Sequence, residues 1–107
     1  MSDHHPASGL DDAVHQRVRL GVLAILAEVR DADFAYLRDA LQVTDGNLSR
    51  HLQTLEQSGH VAVRKGFEGR RPRTWIAATD AGRQALETEL GALRTLIDRV
   101  DRAGAGG

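Results

Sequence analysis

The chain has 107 residues, 41% of them hydrophobic but only 4% aromatic, with no cysteine and a formal net charge of −1. That length supports one domain with an aliphatic core. The composition excludes a disulfide framework, thiolate chemistry and a membrane span, and with no signal-peptide pattern it implies a cytoplasmic protein.

Residues 1–10 are polar, hold Pro6 and Gly9 and show no periodicity, so they read as a flexible arm. The folded domain is expected over 11–103, with a flexible tail over 104–107. His4, His5 and His15 offer nitrogen ligands, but adjacent histidines on an arm do not make a metal site, and no metal or cofactor is expected. Asp11 or Asp12 caps a first helix running to about Arg30. Val14, Val18, Val22, Ile25 and Val29 form one apolar stripe on it, and Leu20, Leu23 and Leu26 a second, which implies cover on more than one side. Asp33 caps a short helix from Phe34 to Leu41, and Gln42-Val43 is a tight connection.

Thr44 then caps a helix over 45–58, with Asp45 in the first turn, where the helix dipole favours an acid, and Gly59 ending it. Leu48, Leu52 and Leu55 share its inner face. The outer face carries Gly46, Asn47, Ser49, Arg50, Gln53, Thr54 and Gln57, which are small or hydrogen-bonding and nearly free of carboxylates. Such a face suits the acceptor-rich edges of the DNA major groove. After Gly59 the period changes to alternation, with Val61 and Val63 on one side and Ala62 and Arg64 on the other. Gly66 to Pro72 reads as a loop and Arg73 to Ala78 as a second strand, making a hairpin with a long basic tip. Five bases (Arg64, Lys65, Arg70, Arg71, Arg73) meet one acid, Glu68, in this stretch. The near-zero net charge therefore hides a basic pole. Thr79 caps a last helix, Asp80 to about Arg102, in which Leu86, Leu90, Leu93, Ile97 and Val100 form a heptad seam.

Short helices joined at Gln42-Val43, a basic hairpin and a long final helix are the parts of a winged helix-turn-helix domain. The predicted class is mainly α with a small β-hairpin: a three-helix core, a two-stranded wing and a C-terminal dimerisation helix. Three stretches resemble the compact winged-helix repressors allied to the MarR and ArsR families. These are Thr44-Asp45-Gly46-Asn47-Leu48-Ser49-Arg50-His51-Leu52, the wing from Val63 to Thr74, and Thr79-Asp80-Ala81-Gly82-Arg83. The resemblance spans about Val14 to Leu96, and the wing is its most specific part. It implies a homodimeric transcriptional regulator, a repressor, binding double-stranded DNA at a palindromic operator. The helix from Asp45 would enter the major groove, and the hairpin tip would follow the backbone or minor groove. Unlike the ArsR metal sensors the chain has no cysteine ligand, so metal sensing is not expected.

The expected DNA-binding residues are Thr44, Gly46, Asn47, Ser49, Arg50, Gln53 and Thr54 from the helix, with Arg64, Lys65, Arg70, Arg71 and Arg73 from the wing. Arg50 can pair guanine, and Asn47 or Gln53 adenine, but a phosphate role for Arg50 stays open. Arg73 has the alternative of holding the base of the wing. The expected dimer interface is Val14, Val18, Leu86, Leu90, Leu93, Ile97 and Val100, because the two outer helices offer more apolar surface than a small domain covers. Asp45, Ser49 and His51 do not make a catalytic triad. Helix positions two apart, such as 49 and 51, do not face each other, and no nucleophile elbow is present. No enzyme activity is expected. No effector pocket is readable. A second function class uses the same parts: a winged-helix module that docks its basic wing on an acidic protein.

Overall fold

In a computed structural model, the backbone is described over residues 6–106 and the side chains over 16–104. The elements follow the order α1 (Pro6–Glu28), β1 (Ala32–Asp33), α2 (Phe34–Leu41), α3 (Asp45–Gln57), β2 (Val61–Glu68), β3 (Arg71–Ala78) and α4 (Asp80–Gly106). α1 starts at Pro6, ahead of the expected Asp11 or Asp12 cap; proline is well suited to a first helical position. α4 runs to Gly106, past the expected end near Arg102, since Ala103 and Ala105 favour helix. His4 and His5, and the side chains of Val14 and His15, lie outside the described residues.

α1 is the central element and touches α2, α3, β3 and α4. Both of its stripes are therefore used within one chain: Val18, Val22, Leu23 and Leu26 are buried, and Leu20, Ile25 and Val29 pack against them. Leu37 of α2, Leu48, Leu52 and Leu55 of α3, Val61, Ile76 and Leu86 complete the core. Each fully buried aliphatic side chain contributes about 1.5–3 kcal/mol of hydrophobic stabilisation.

Local signals set the helix-turn-helix. Asp33 accepts the Ala35 N–H at 3.3 Å and caps α2. Gln42 takes the left-handed conformation (φ 55°) and donates to the carbonyls of Arg38 and Asp39, which turns the chain sharply. Thr44 Oγ1 accepts the Asn47 N–H at 3.1 Å and starts α3. α3 ends in a Schellman motif: His60 N–H donates to Leu55 O and Gly59 N–H to Glu56 O.

The sheet has three strands rather than two, in the order β1-β3-β2, all antiparallel. β1 pairs Ala32 with Ile76 and Asp33 with Trp75. The hairpin is also tighter than expected. Its strands continue to the Glu68–Arg71 pair, so the loop is Gly69-Arg70 rather than Gly66 to Pro72. Gly69 has φ +64° and Arg70 does not share the sign, the pattern of a II′ turn. Pro72 fits within β3 because the closing pair exchanges hydrogen bonds and the next pair, Phe67–Pro72, does not. Its missing N–H would point away from β2, where β1 does not reach.

Thr79 fastens α4 to the end of α3. Its Oγ1 accepts the Gly82 N–H and donates to Gly59 O, and its N–H donates to His60 O. Gly82 is buried there, and a Cβ on it would lie 2.0 Å from His60 O. The helix can start at this point only without a side chain.

Candidate nucleic-acid interface

The outer face of α3 is open. Thr44, Gly46, Asn47, Ser49, Arg50 and Gln53 are exposed, and Thr54 is half-buried. Nothing lies within 4 Å of the Cβ position of Gly46, so a ligand backbone can come close. Arg50 Nη2 donates to Asn47 Oδ1 at 2.9 Å, which lines the two side chains up as one polar unit. Thr54 donates its hydroxyl to Arg50 O at 3.2 Å, so it is left to offer an acceptor rather than a donor. His51 is buried among the leucines at 7% exposure, whereas Ser49 is exposed. The two residues face apart, as the spacing argument requires.

The one acid in the first turn of α3 is countered. Arg38 of α2 donates to Asp39 Oδ1 at 2.9 Å and to Asp45 Oδ1 at 3.0 Å. These hydrogen bonds, that to Asp39 first, hold the guanidinium even further above its usual pKa. Arg38 was not singled out by the sequence, because its seven-residue separation from Asp45 has meaning only once the turn is folded. Its effect is to mask a carboxylate where an anionic ligand would meet the helix.

Strand alternation divides the wing cations between two faces. Val61, Val63, Lys65 and Phe67 share one face with Ala78, Ile76, Thr74 and Pro72; Arg64 and Glu68 share the other with Trp75, Arg73 and Arg71. Lys65 lines a groove with Ser49 and Gln53 of α3 and with Thr74. Arg64 is on the opposite face and is not brought to this groove. Arg70 sits at the tip, and Arg64, Lys65, Arg70 and Arg71 are all exposed. Among the described residues none of these four is in an ion pair. Phe67, which falls in the expected loop, is 75% exposed on the wing.

Arg73 differs from the other four wing cations. It is half-buried, bonds Asp33 Oδ2 through Nη1, and has Glu68 Oε1 3.6 Å from Nη2. With its charge answered by two carboxylates, Arg73 ties the wing to the cap of α2, the alternative role expected for it.

The expected dimer residues divide as well. Val18 and Leu86 are buried in the chain's own core at 1% and 7% exposure and are corrected to core positions, while Leu90 is half-buried against that core. The physical reason is the central place of α1, which covers its own stripes and the first turns of α4. Val14 lies outside the described side chains. What stays open is the distal part of α4: Leu93 (36% exposed), Leu96 (57%), Ile97 (56%) and Val100 (63%). Leu96 belongs to this face by the helical i, i+3, i+4 rule but not to the strict heptad seam. At the start of α4, Arg83 pairs with Asp80 at 2.9 Å.

Comparison with known proteins agrees with this geometry. A family model described as a winged helix DNA-binding domain matches residues 18–97. An uncharacterised protein of Methanocaldococcus jannaschii is 34% identical over 84 residues, spanning 78% of this chain and 91% of that one. A solved transcriptional regulator homologue from Pyrococcus horikoshii is 36% identical with a TM-score of 0.74, covering 79% of this chain and 84% of its own. A PadR family transcriptional regulator from Eggerthella lenta shares the fold, with a TM-score of 0.67 at 20% identity, covering 91% of this chain and 90% of its own.

Proposed function

This chain belongs to the winged helix DNA-binding domain family, and from that premise we propose that it is a sequence-specific regulator of transcription, acting on duplex DNA as a homodimer. The observation that carries the reading is the exposed, acid-masked face of α3 beside a wing whose Arg64, Lys65, Arg70 and Arg71 have no ion-pair partner among the described residues. α3 enters the major groove, where Arg50 and Asn47, already aligned, meet base edges. Thr44, Gly46, Ser49, Gln53 and Thr54 complete that contact. Lys65, Arg70 and Arg71 follow the flanking backbone or minor groove, and Arg64 serves the outer side of the wing.

The homodimer rests on the distal face of α4, where Leu93, Leu96, Ile97 and Val100 are left without cover in a single chain. DNA binding and dimerisation share one domain over 11–103. Two recognition helices related by a two-fold axis, roughly 34–36 Å apart, read a palindromic site. Occupying that site excludes other proteins from the same DNA, so repression follows directly from binding. No helix among the described residues is long and apolar enough to cross a membrane, and the proposed place of action is the cytoplasm. The resemblance to MarR and ArsR regulators supports the winged helix, and the PadR likeness supports it at the same level.

The test is binding to the DNA upstream of its own gene across a salt series. If about six to ten phosphates are neutralised per dimer, affinity falls by roughly 10³ to 10⁵ between 50 and 200 mM salt. Flat salt dependence, or no retarded complex at low salt, refutes the DNA reading and returns the acidic-protein alternative.

A further inference from the structure

We propose that the groove between α1 and the outer edge of α3 is a phosphate-binding site and that Arg19, on α1, is its principal ligand. The inference rests on the DNA reading above for the source it favours, a backbone phosphodiester, and the same chemistry admits a free phosphate. The groove has a volume of about 300 Å³ and is lined by Arg19, Asn47, Arg50, His51, Gln53 and Thr54. Arg19 and Arg50 both line it, and none of the six lining residues is a carboxylate. Neither Arg19 nor Arg50 is in an ion pair among the described residues. The Arg19 Nε is fully buried and donates to nothing.

A buried charged donor without an acceptor is costly, and native structures rarely leave one unmade. An acceptor brought against the Arg19 guanidinium would relieve that cost. The resident side chains do not supply it. Asn47 Oδ1 is already taken by Arg50 Nη2 at 2.9 Å. What two forked donors and no carboxylate suit is an oxyanion with several acceptor oxygens, and arginine binds phosphate bidentately. The volume leaves room for a phosphate group with bridging water. The groove adjoins Asn47, Arg50 and Gln53, so a strand whose bases meet those side chains brings a phosphate to its mouth. Arg19 would then couple the central helix of the core to the DNA backbone, a contact outside both the recognition helix and the wing.

The experiment has two arms. In the first, wild type, Arg19→Gln and Arg19→Lys are compared for duplex binding across a salt series, with helix content and oligomeric state checked on each. One phosphate lost per subunit lowers the salt slope by about 0.9, or about 1.8 per dimer. Arg19→Gln should show that loss, with specific and non-specific sites weakened alike, and Arg19→Lys should keep the slope. In the second arm, Arg Nε–H resonances of the wild type are followed by NMR as inorganic phosphate is added at low ionic strength. A shift confined to Arg19 and Arg50 supports the site without relying on a variant that folds. A slope change assigns the phosphate to DNA; a response to inorganic phosphate with an unchanged slope assigns it to a free anion. A wild type that binds no duplex yet shows the Nε response refutes the DNA function and leaves the site standing. If the wild type binds DNA with steep salt dependence, Arg19→Gln matches it, and Arg19 Nε is silent, the site is overturned.

Discussion

Arg73 decides between two readings of the wing, and its pairing with Asp33 yields a quantitative expectation. Asp33 has two roles: it caps α2 through the Ala35 N–H, and it bonds Arg73 across a separation of 40 residues. Loss of an Asp N-cap costs about 1 kcal/mol. The pair is only partly buried, with side-chain exposures of 32% for Arg73 and 19% for Asp33, so full burial values do not apply. Between the values for exposed and buried pairs, its loss should cost about 1–2 kcal/mol. Asp33→Ala should therefore destabilise the fold by about 2–3 kcal/mol, and Arg73→Gln by about 1–2 kcal/mol because the cap survives. In a domain of this size each kcal/mol corresponds to about 4–8 °C in Tm. Urea or thermal unfolding at one fixed protein concentration reads both, and the double variant should show coupling of about 1–2 kcal/mol. The salt slope of DNA binding should be unchanged in Arg73→Gln. If instead that variant is as stable as wild type and its slope falls by about 0.9 per subunit, Arg73 is a phosphate ligand and the clamp is wrong.

Arg50→Ala should relax sequence preference by about 1–3 kcal/mol, while Arg71→Ala weakens specific and non-specific DNA alike; equal losses at both kinds of site for Arg50→Ala would make it a phosphate contact. Ile97→Glu places a charge on the open face of α4, where desolvation opposes assembly, and should give helical monomers with little DNA affinity in analytical ultracentrifugation. A wild type that sediments as a monomer at tens of micromolar removes the dimer altogether. Gly82→Ala must displace α4 or the His60 backbone, since its Cβ would lie 2.0 Å from His60 O, and should cost about 1–3 kcal/mol or more on unfolding; wild-type stability would show that the junction is soft.

Features with a local cause were the ones the sequence revealed. Asp33, Thr44 and Thr79 each bond a nearby backbone N–H at a helix start, so their side chains announce the element within four residues. The leucine spacing of α3 fixed which face was inward, and with it the exposed set from Gly46 to Gln53. The strand β1 could not be read in this way. Two residues carry no period, and Ala32 and Asp33 are extended only because β3 lies beside them. Gly66, Gly69 and Pro72 suggested a long loop, but only Gly69 is at the turn, and the pairing phase makes Pro72 harmless. Val18 and Leu86 were drawn into the core for a similar reason. Apolar spacing tells which face of a helix is buried, not whether the cover comes from the same chain, and the position of α1 in the middle of the fold is a tertiary fact.

Mechanically, the Gly82 junction makes α4 a lever. Its 27 residues at about 1.5 Å each form an arm of about 40 Å, pivoted where Thr79 and Gly82 lock onto Gly59 and His60. The pivot adjoins the end of α3, so in the proposed dimer the angle there sets how far apart the two recognition helices lie. A tilt of about 5° moves the far end of such an arm by about 3.5 Å, close to the roughly 3.4 Å rise of one base pair along a strand. Operator spacing in this protein would then be graduated at a glycine that touches no DNA, and a substitution at that hinge would change which half-site separation fits while leaving the half-site sequence as it was.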